Sequence, residues 1–552
     1  MEDISYQRKN TKKVFFSGVI ALSVASITVK VLGLLFKIPI ANILSAESLE
    51  SGVGLGYFSS AYTVYTWLFM VATSGLPTGI SIAISECRAE GWRSGIERLF
   101  RKTRRLFLLI GLCLFLLLFF FSRGIAFLIG NSESALSMAV IAPTLLFISV
   151  SSVYRGFFYG HQVMLPPALS EVVEAFGKLF FGTAGAYYAY VKGESAEVVA
   201  AFAVLGVTLG VFLGMMFLII MKWRYDKKGK FSLLSEEKEP PEDKKMRVTR
   251  VLRLSVPITL ASSVMSLTGL IDVATMMSRL QSIGYSASEA SALYGTYSML
   301  AVPLYNLPVV LLSPLISSVI PLLAARFVRG EALSVKRMVE SVLRIVSLFI
   351  IPASLGVSLF SYEILSLFYD ENASAIAAPL LSVLASATFF LGLLTVTNAI
   401  LQANRLAGKT VVSMSIGALV KLVFGFFLVG NADIGMYGVP ISTVLCYLVI
   451  LVIDLALLAK HLSVVPRFFQ TFIRPFCIAA VSVLLGRFFI YPSVLSVAPM
   501  FVATVLSISA VAVIYLLLLL FCRAVSGSDI LLLPGGKKIQ KVLQKKKLLS
   551  ED

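Results

Sequence analysis

The chain has 552 residues, of which 58% are hydrophobic and only 14% are charged, and its formal net charge is +18 at pH 7. A soluble protein carries about 25% charged residues, so this composition excludes an ordinary soluble domain. The apolar residues lie in blocks of about 20, the length of a membrane-spanning helix, whereas strands of membrane barrels alternate and are about 10 residues long. The sequence therefore predicts an all-α polytopic membrane protein.

The apolar blocks predict fourteen transmembrane helices, joined by mostly short polar connections. Their expected bounds are 14–40, 57–83, 106–129, 138–160, 168–190, 198–221, 251–278, 293–325, 341–367, 379–402, 411–430, 438–460, 472–490 and 498–522.

Basic residues are concentrated in every second connection. The chain start contains "RKNTKK", the second connection contains "RAEGWRSGIERLFRKTRR" and the sixth begins "KWRYDKKGK", whereas "SAESLES" and "GNSESAL" between them carry no basic residue. Because connections rich in Lys and Arg stay in the cytoplasm, this pattern predicts that both termini are cytoplasmic. It also accounts for the net charge through topology and contact with anionic lipids, so we expect no nucleic-acid partner.

The two halves of the chain resemble each other. The segment "GKLFFG" (177–182) matches "VKLVFG" (420–425) at an offset of 243 residues. We therefore expect two parallel, pseudo-symmetric six-helix lobes plus two extra C-terminal helices, an arrangement in which transporters bind substrate between lobes. The expected organisation is an N-lobe at 1–221 (helices 1–6), a cytoplasmic basic linker at 222–250, a C-lobe at 251–460 (helices 7–12), helices 13–14 at 461–525 and a cytoplasmic basic tail at 526–552.

Two lysines lie within the first predicted span. The residues Ser23, Ser26, Lys30, Gly33 and Lys37 are spaced 3, 4, 3 and 4 apart, which places them on one helix face. Such a polar face predicts a wet cavity. The alternative for the face is a contact between small residues of two helices, with the lysines paired to acids elsewhere. The alternative for Lys37, near the outer end, is that its amine reaches the membrane surface.

Three further basic residues fall inside predicted spans. Arg155 is near a cytoplasmic end, where reaching the surface is again the alternative to a cavity role. Lys178 follows Glu174 by four residues, so an ion pair within the helix is an alternative for it. Lys421 occupies the place of Lys178 in the second lobe and has no acid four residues away, which makes it the better candidate for a cavity cation.

Acids within the spans are few. Asp272 shares a helix face with small polar residues and is either a counter-ion for Lys30 or a coupling site for Na⁺ or H⁺, and Glu174 is the other candidate of this kind. A cavity with several lysines and few acids favours an anionic substrate such as a phosphate.

We expect neither a cofactor nor a metal, and no enzymatic activity. The segment "ANRLAGKT" (403–410) fits a relaxed phosphate-loop pattern, but it joins two apolar helices instead of a strand and a helix. The only histidines, His161 and His461, lie far apart in sequence and have no neighbouring metal-ligand pattern.

Three segments resemble a known family: "VKVLGLLFKIPIANILSAE", "SGLPTGISIAISE" and "YRGFFYGHQVMLPPALSEVVEAFGKLFFG". They are similar to the polysaccharide-exporter branch of the multidrug/oligosaccharidyl-lipid/polysaccharide exporter superfamily, and within it to the stage V sporulation protein B and YtgP-type lipid II flippases of the MurJ class. The resemblance covers roughly 14–525. It implies a protein of the bacterial plasma membrane that moves undecaprenyl-pyrophosphate-linked peptidoglycan precursor outward through a central cationic cavity, with a groove for the lipid tail at the last two helices.

The same resemblance assigns roles to residues of the first span. Members of the MurJ class carry essential arginines there in a pattern like "SRVLG…RD". In "VKVLGLLFK", Lys30 stands at the first arginine, while Phe36 and Lys37 stand at the "RD" pair. Because lysine cannot make the two-pronged contact of a guanidinium, the phosphate contacts must differ in detail.

These observations predict a lipid II flippase that works by alternating access. Lys30, Lys37 and Lys421 are the expected pyrophosphate contacts, with Lys178 and Arg155 as weaker candidates. The partners are the lipid-linked substrate and membrane lipids, with Na⁺ or H⁺ as coupling ion, and we expect a monomer. The alternatives are an exporter of another lipid-linked polysaccharide unit, a cation-coupled drug antiporter of the same superfamily, and a membrane-embedded glycosyltransferase.

Overall fold

The fold is helical throughout the part of the chain that the structure describes. This computed structural model describes residues 24–46, 52–90, 92–227, 248–312, 319, 323, 326–327, 329–404, 406–464, 467–522 and 524–526. No β-strand occurs in these ranges. The beginning of the first predicted span, most of the predicted linker and nearly all of the predicted basic tail lie outside them.

Contacts between Cα atoms group the chain into two compact units, Met1–Gly295 and Thr296–Asp552. The described helices of the first unit are α1 (Val24–Leu44), α2 (Val53–Thr73), α3 (Leu76–Ala89), α4 (Arg93–Phe120), α5 (Ser122–Leu128), α6 (Ala135–Ile141), α7 (Pro143–Gly160), α8 (Leu165–Val191), α9 (Ala196–Lys227), α10 (Val248–Ser282) and α11 (Ala287–Thr296), the last ending at the boundary.

The second unit contains α-helices and single π-helical turns, which are wider than α-helical turns. Its described α-helices are α12 (Val302–Leu311), α13 (Ala332–Leu359), α14 (Ser361–Ser366), α15 (Glu371–Ala403), α16 (Ala407–Val429), α17 (Gly438–Leu462), α18 (Arg474–Leu485), α19 (Tyr491–Leu495) and α20 (Met500–Phe521). Single π-helical turns lie at Tyr297–Ala301, Phe469–Ile473 and Gly486–Ile490.

Twelve helices or continuous helical runs in the described ranges are long and apolar enough to cross a membrane, which confirms a multi-pass membrane protein. The count of fourteen stays a prediction. Its fifth span corresponds to α8, a 27-residue helix that is not among the twelve. Its eighth span falls on α11, α12 and residues mostly outside the described ranges.

Helices α8 and α9 pack with their backbones almost touching. A Cβ atom on Gly206 of α9 would lie 2.1 Å from the Cα of Gly182 on α8, and one on Gly177 would lie 2.7 Å from the Cα of Gly210. Within a membrane, small residues allow the close approach from which helix pairs gain van der Waals energy. The glycines therefore fix the position of α8, the helix that carries Glu174 and Lys178.

Helix α7 is held against α3 in a similar way. A Cβ atom on Gly156 would lie 2.8 Å from the Cβ of Ile80, and one on Gly160 would lie 2.6 Å from that of Ile84. Both isoleucines are fully buried. This contact fixes the position of Arg155, which is next to Gly156 in the sequence. Arg155 lies on the side of α7 that faces α8.

Replacing Gly206 by alanine should therefore separate α8 from α9. Because the added methyl group meets backbone atoms that cannot rotate away, we expect a destabilisation of about 1–3 kcal/mol, typical of overpacking. The measurement is the thermal unfolding midpoint of the purified protein in detergent.

The matched control is Gly124→Ala on α5, where a new Cβ meets no atom within 4 Å. The control should leave the midpoint unchanged or raise it, since alanine favours a helix over glycine. Equal midpoints for the two variants would contradict the packing argument.

Candidate functional site

Helix α1 has three different faces. Its buried face consists of Ala25, Leu32, Phe36 and Ile40, which are at most 8% exposed. Its exposed apolar face consists of Val24, Ile27, Val31 and Leu35, which are 47–58% exposed. An exposed apolar stripe of this kind suits contact with lipid tails.

The third face, the polar face of α1, consists of Ser26, Lys30, Gly33 and Lys37. With about 100° of rotation per residue, it lies roughly 90° from the buried face and roughly 130° from the exposed apolar face. The two lysines and Ser26 are half-buried, Gly33 is exposed, and a Cβ atom on Gly33 would meet nothing within 4 Å. The polar face is therefore separated from the lipid-facing side of α1, and space is open at Gly33.

Phe36 belongs to the packing of the first unit. Its ring centroid is 6.2 Å from that of Phe58 on α2. Its Cε2 atom lies 2.6 Å from the position that a Cβ atom on Gly182 of α8 would take. The side chain is 5% exposed. At the position where the resembling family has its second arginine, this chain thus has a core residue that joins three helices.

Arg155, Glu171, Glu174 and Lys178 form one charge network between α7 and α8. The Nη2 atom of Arg155 is 2.9 Å from Oε2 of Glu174, and Nζ of Lys178 is 2.6 Å from Oε1 of the same carboxylate. A second contact joins Nη1 of Arg155 to Glu171 at 4.0 Å. The side chains of Arg155, Glu174 and Lys178 are 12%, 13% and 21% exposed.

The α7–α8 charge network contains two cations and two carboxylates, so its formal charges cancel. Arg155 contacts Glu174 and Glu171, and Lys178 has the intrahelical ion pair that its spacing allowed. Both cations are thus balanced inside the first unit. A substrate anion would have to compete with Glu174 for either of them.

The two remaining predicted site residues lie elsewhere. Asp272 is 8% exposed on α10 of the first unit, three residues after Gly269, where a Cβ atom would lie 3.4 Å from Thr63 of α2. Lys421 is 2% exposed on α16 of the second unit. Both side chains are therefore enclosed by protein.

One buried acid of the second unit, Asp454, is not indicated by the pattern of lysines and arginines within the spans. Asp454 on α17 is fully buried and interacts with hydroxyl groups of α15 and α16. The segment "LVILVIDLALL" was a signal available in the sequence, because it contains one acid in an otherwise apolar stretch.

Arg487 lies in the π-helical turn Gly486–Ile490 of the second unit. Its guanidinium forms an ion pair with Glu363 of α14 and lies 5.2 Å from the ring centroid of Tyr491. The interaction links the segment after α18 to α14 within the second unit.

The second unit also contains an apolar cavity of ≈ 510 Å³. It is lined by α13, α15, α17 and the segment that leads into α18, and apart from Ser354 and Ser386 its lining side chains are apolar. Five phenylalanines contribute to the wall: Phe389, Phe390, Phe468, Phe472 and Phe476. The volume lies in the range of small-molecule sites, about 300–1,000 Å³.

A family model described as "Polysaccharide biosynthesis protein" matches residues 15–327, which is more than half of the chain. The chain belongs to this family. The match includes α1 with its polar face and the α7–α8 charge network.

Two curated relatives from Bacillus subtilis (strain 168) are similar over most of their length. Lipid II flippase MurJ is 24% identical over 461 residues, covering 80% of this chain and 82% of the relative. Stage V sporulation protein B is 24% identical over 463 residues, covering 82% and 85%. Both matches confirm the resemblance stated from the sequence.

Two solved structures have the same fold. A lipid II flippase MurJ in an inward closed conformation gives a TM-score of 0.66 at 16% identity and covers 90% of this chain and 97% of its own. An inward-facing multidrug resistance MATE family transporter of the MOP superfamily gives 0.62 at 13% identity, with 80% and 98% covered. The predicted fold class is confirmed by these similarities.

Removing the central carboxylate of the α7–α8 charge network should destabilise the first unit. In Glu174→Ala, two partly buried cations lose their main partner, and breaking a buried ion pair typically costs about 3–5 kcal/mol. The measurement is the thermal unfolding midpoint of the purified protein.

Glu194→Ala is the control, since Glu194 is exposed between α8 and α9. It should leave the midpoint unchanged. A Glu174→Ala protein as stable as this control would show that Arg155 and Lys178 do not depend on Glu174.

Proposed function

We propose that this chain is a flippase that moves a lipid-linked cell-wall precursor from the inner to the outer leaflet by alternating access through a central cationic cavity. The substrate we propose is undecaprenyl-pyrophosphate-linked peptidoglycan precursor, lipid II. The observation that carries the proposal is the polar face of α1, which presents two lysines at membrane depth on a helix of a chain with the MurJ-like fold. The similarity to lipid II flippase MurJ supports the substrate class.

Lys30 and Lys37 are the proposed main contacts of the pyrophosphate. Ammonium groups recognise phosphate as point charges with three donors each, and Gly33 between them leaves room for an anion to approach the backbone. Lys421 is a further proposed contact. Arg155 and Lys178 are weaker candidates, because both already contact Glu174.

The polyprenyl tail is proposed to occupy the apolar cavity of the second unit. The five phenylalanines and the aliphatic residues of α13, α15 and α17 offer a surface as apolar as the tail itself. Part of the wall comes from the segment leading into α18, at the start of the thirteenth predicted span. A tail bound there would stay in an apolar environment while the headgroup moves.

Further proposals concern the membrane topology, the coupling ion and the oligomeric state. Both termini are proposed to be cytoplasmic on the basis of the alternating basic connections. Asp272 is a proposed counter-ion or a coupling site for Na⁺ or H⁺, and Glu174 acts as the counter-ion of Arg155 and Lys178. We propose that the chain works as a monomer and catalyses no covalent step.

A drug antiporter is the second candidate, because a MATE transporter shares the fold with a TM-score of 0.62. Cationic drugs would be repelled by the two lysines of the polar face of α1. Export of a different lipid-linked polysaccharide unit would use the same pyrophosphate contacts, so the assay below identifies the precursor directly.

We expect Lys30→Ala to fail to rescue a bacterial strain depleted of its own lipid II flippases, although the wild-type chain rescues it. Loss of a hydrogen bond to a charged group costs about 1.5–3 kcal/mol, which weakens headgroup binding roughly 10- to 100-fold. The readouts are growth and the lipid-linked precursor that accumulates in the inner leaflet, with the amount of protein in the membrane measured in parallel.

The matched controls are Lys30→Arg, which keeps the charge, and Lys192→Ala, which removes an exposed lysine between α8 and α9. Both should rescue growth. Full rescue by Lys30→Ala would overturn the role of Lys30. Failure of the wild-type chain to rescue growth and to lower the amount of lipid II in the inner leaflet would overturn the proposed substrate.

A further inference from the structure

Asp454 lies at a point where three helices of the second unit meet. Its side chain on α17 is fully buried. The Oδ1 atom is 2.8 Å from Oγ of Ser413 on α16, and the Oδ2 atom is 3.2 Å from Oγ1 of Thr397 on α15. Asp454 is the seventeenth residue of α17, about 24 Å along a helix that rises 1.5 Å per residue, and is therefore within the predicted span.

The helices that pack most extensively against α17 are α15 and α16. The other titratable groups on these three helices are Glu371, Lys409, Lys421, Cys446, Tyr447, Lys460 and His461. Among the described residues, Asp454 forms no ion pair with any of them, and its hydrogen-bonding partners are the two hydroxyl groups. Lys409, one turn before Ser413, instead contacts the imidazole of His461.

The number of hydrogens available for hydrogen bonds indicates which protonation state of Asp454 fits this site. Oγ of Ser413 is also 3.0 Å from the carbonyl oxygen of Thr410, and Oγ1 of Thr397 is 3.1 Å from that of Leu394. Each hydroxyl group has one hydrogen, so the two hydroxyls can serve only two of these four contacts. A neutral carboxylic acid supplies a third hydrogen. It donates to one hydroxyl, which then donates to its own backbone carbonyl.

The burial of Asp454 also favours its neutral form. Burying an ionised carboxylate without a cationic partner inside a membrane protein has a high free-energy cost. Binding of a cation or hydration lowers this cost. The neutral acid removes the charge and satisfies more of the available acceptors. The two observations are independent, since one concerns geometry and the other the missing counter-charge in the described surroundings.

We propose that Asp454 is a proton-binding site, loaded in the conformation described here and emptied when α15, α16 and α17 move apart. Because the side chain is fully buried, its proton exchanges with water only after such a movement. The protonated acid stabilises the closed packing through its hydrogen bonds to two neighbouring helices, and the carboxylate favours a hydrated, open arrangement. A proton gradient would therefore bias the conformation of the second unit. Use of this proton to drive lipid transport rests on the proposed function, whereas the binding site itself does not.

The test is an infrared pH titration of the full-length protein in lipid nanodiscs. The wild-type protein should show a carboxylic-acid C=O stretching band whose intensity falls as the pH is raised. That band should be missing from Asp454→Asn, which keeps the size and hydrogen bonds of the side chain but cannot titrate. The control Asp433→Asn removes an exposed acid before α17 and should keep the band.

An unchanged band in Asp454→Asn would overturn the proposal, because the signal would belong to another acid. A band that disappears on addition of Na⁺ at constant pH, and not on raising the pH, would overturn it in favour of a metal-ion site. The titration uses no lipid-linked substrate, so its result is independent of whether the chain is a flippase. Thermal unfolding of both variants verifies that each is folded.

Discussion

The constraint that governs this protein is the cost of placing charge at membrane depth, about 2.5–3.5 kcal/mol for each charged residue on insertion scales. A charge that remains there must be paired, hydrated or neutralised. The first unit contains an example of pairing, since Arg155 and Lys178 both contact Glu174. The lysines on α1 lie beside an open position at Gly33. For the second unit, we infer that Asp454 is neutralised by a proton.

Helix packing decides which charges can meet. The glycine contacts between α8 and α9 and between α7 and α3 allow backbones to approach so closely that Arg155 and Glu174 lie within hydrogen-bonding distance. The same packing buries Phe36 against Gly182 and so fixes the rotation of α1 about its axis. With Phe36 inward, the face with Lys30 and Lys37 is held away from the exposed apolar stripe. The orientation of the candidate binding face is thus a consequence of apolar packing on the neighbouring face.

Local patterns in the sequence were sufficient for part of this description. The 3–4 spacing on α1 predicted a polar face, and the four-residue spacing of Glu174 and Lys178 allowed the ion pair that the structure contains. The all-helical membrane fold followed from composition. Such patterns cannot predict contacts between residues of different helices. Arg155 and Glu174 are 19 residues apart, and Asp454 is 41 residues from Ser413. No spacing rule relates such positions, since their proximity depends on how helices pack. The roles of the site residues and the lobe boundaries stay predictions.

The central claim is that the charge on α1 recognises a pyrophosphate headgroup. The most direct measurement is the affinity of the purified protein for undecaprenyl pyrophosphate and for the uncharged alcohol undecaprenol, determined by native mass spectrometry. The account predicts that the wild-type protein prefers the pyrophosphate and that the double variant K30Q/K37Q loses this preference while retaining its affinity for the alcohol. Equal affinity of the wild-type protein for both lipids, or an unchanged preference in the double variant, would contradict it.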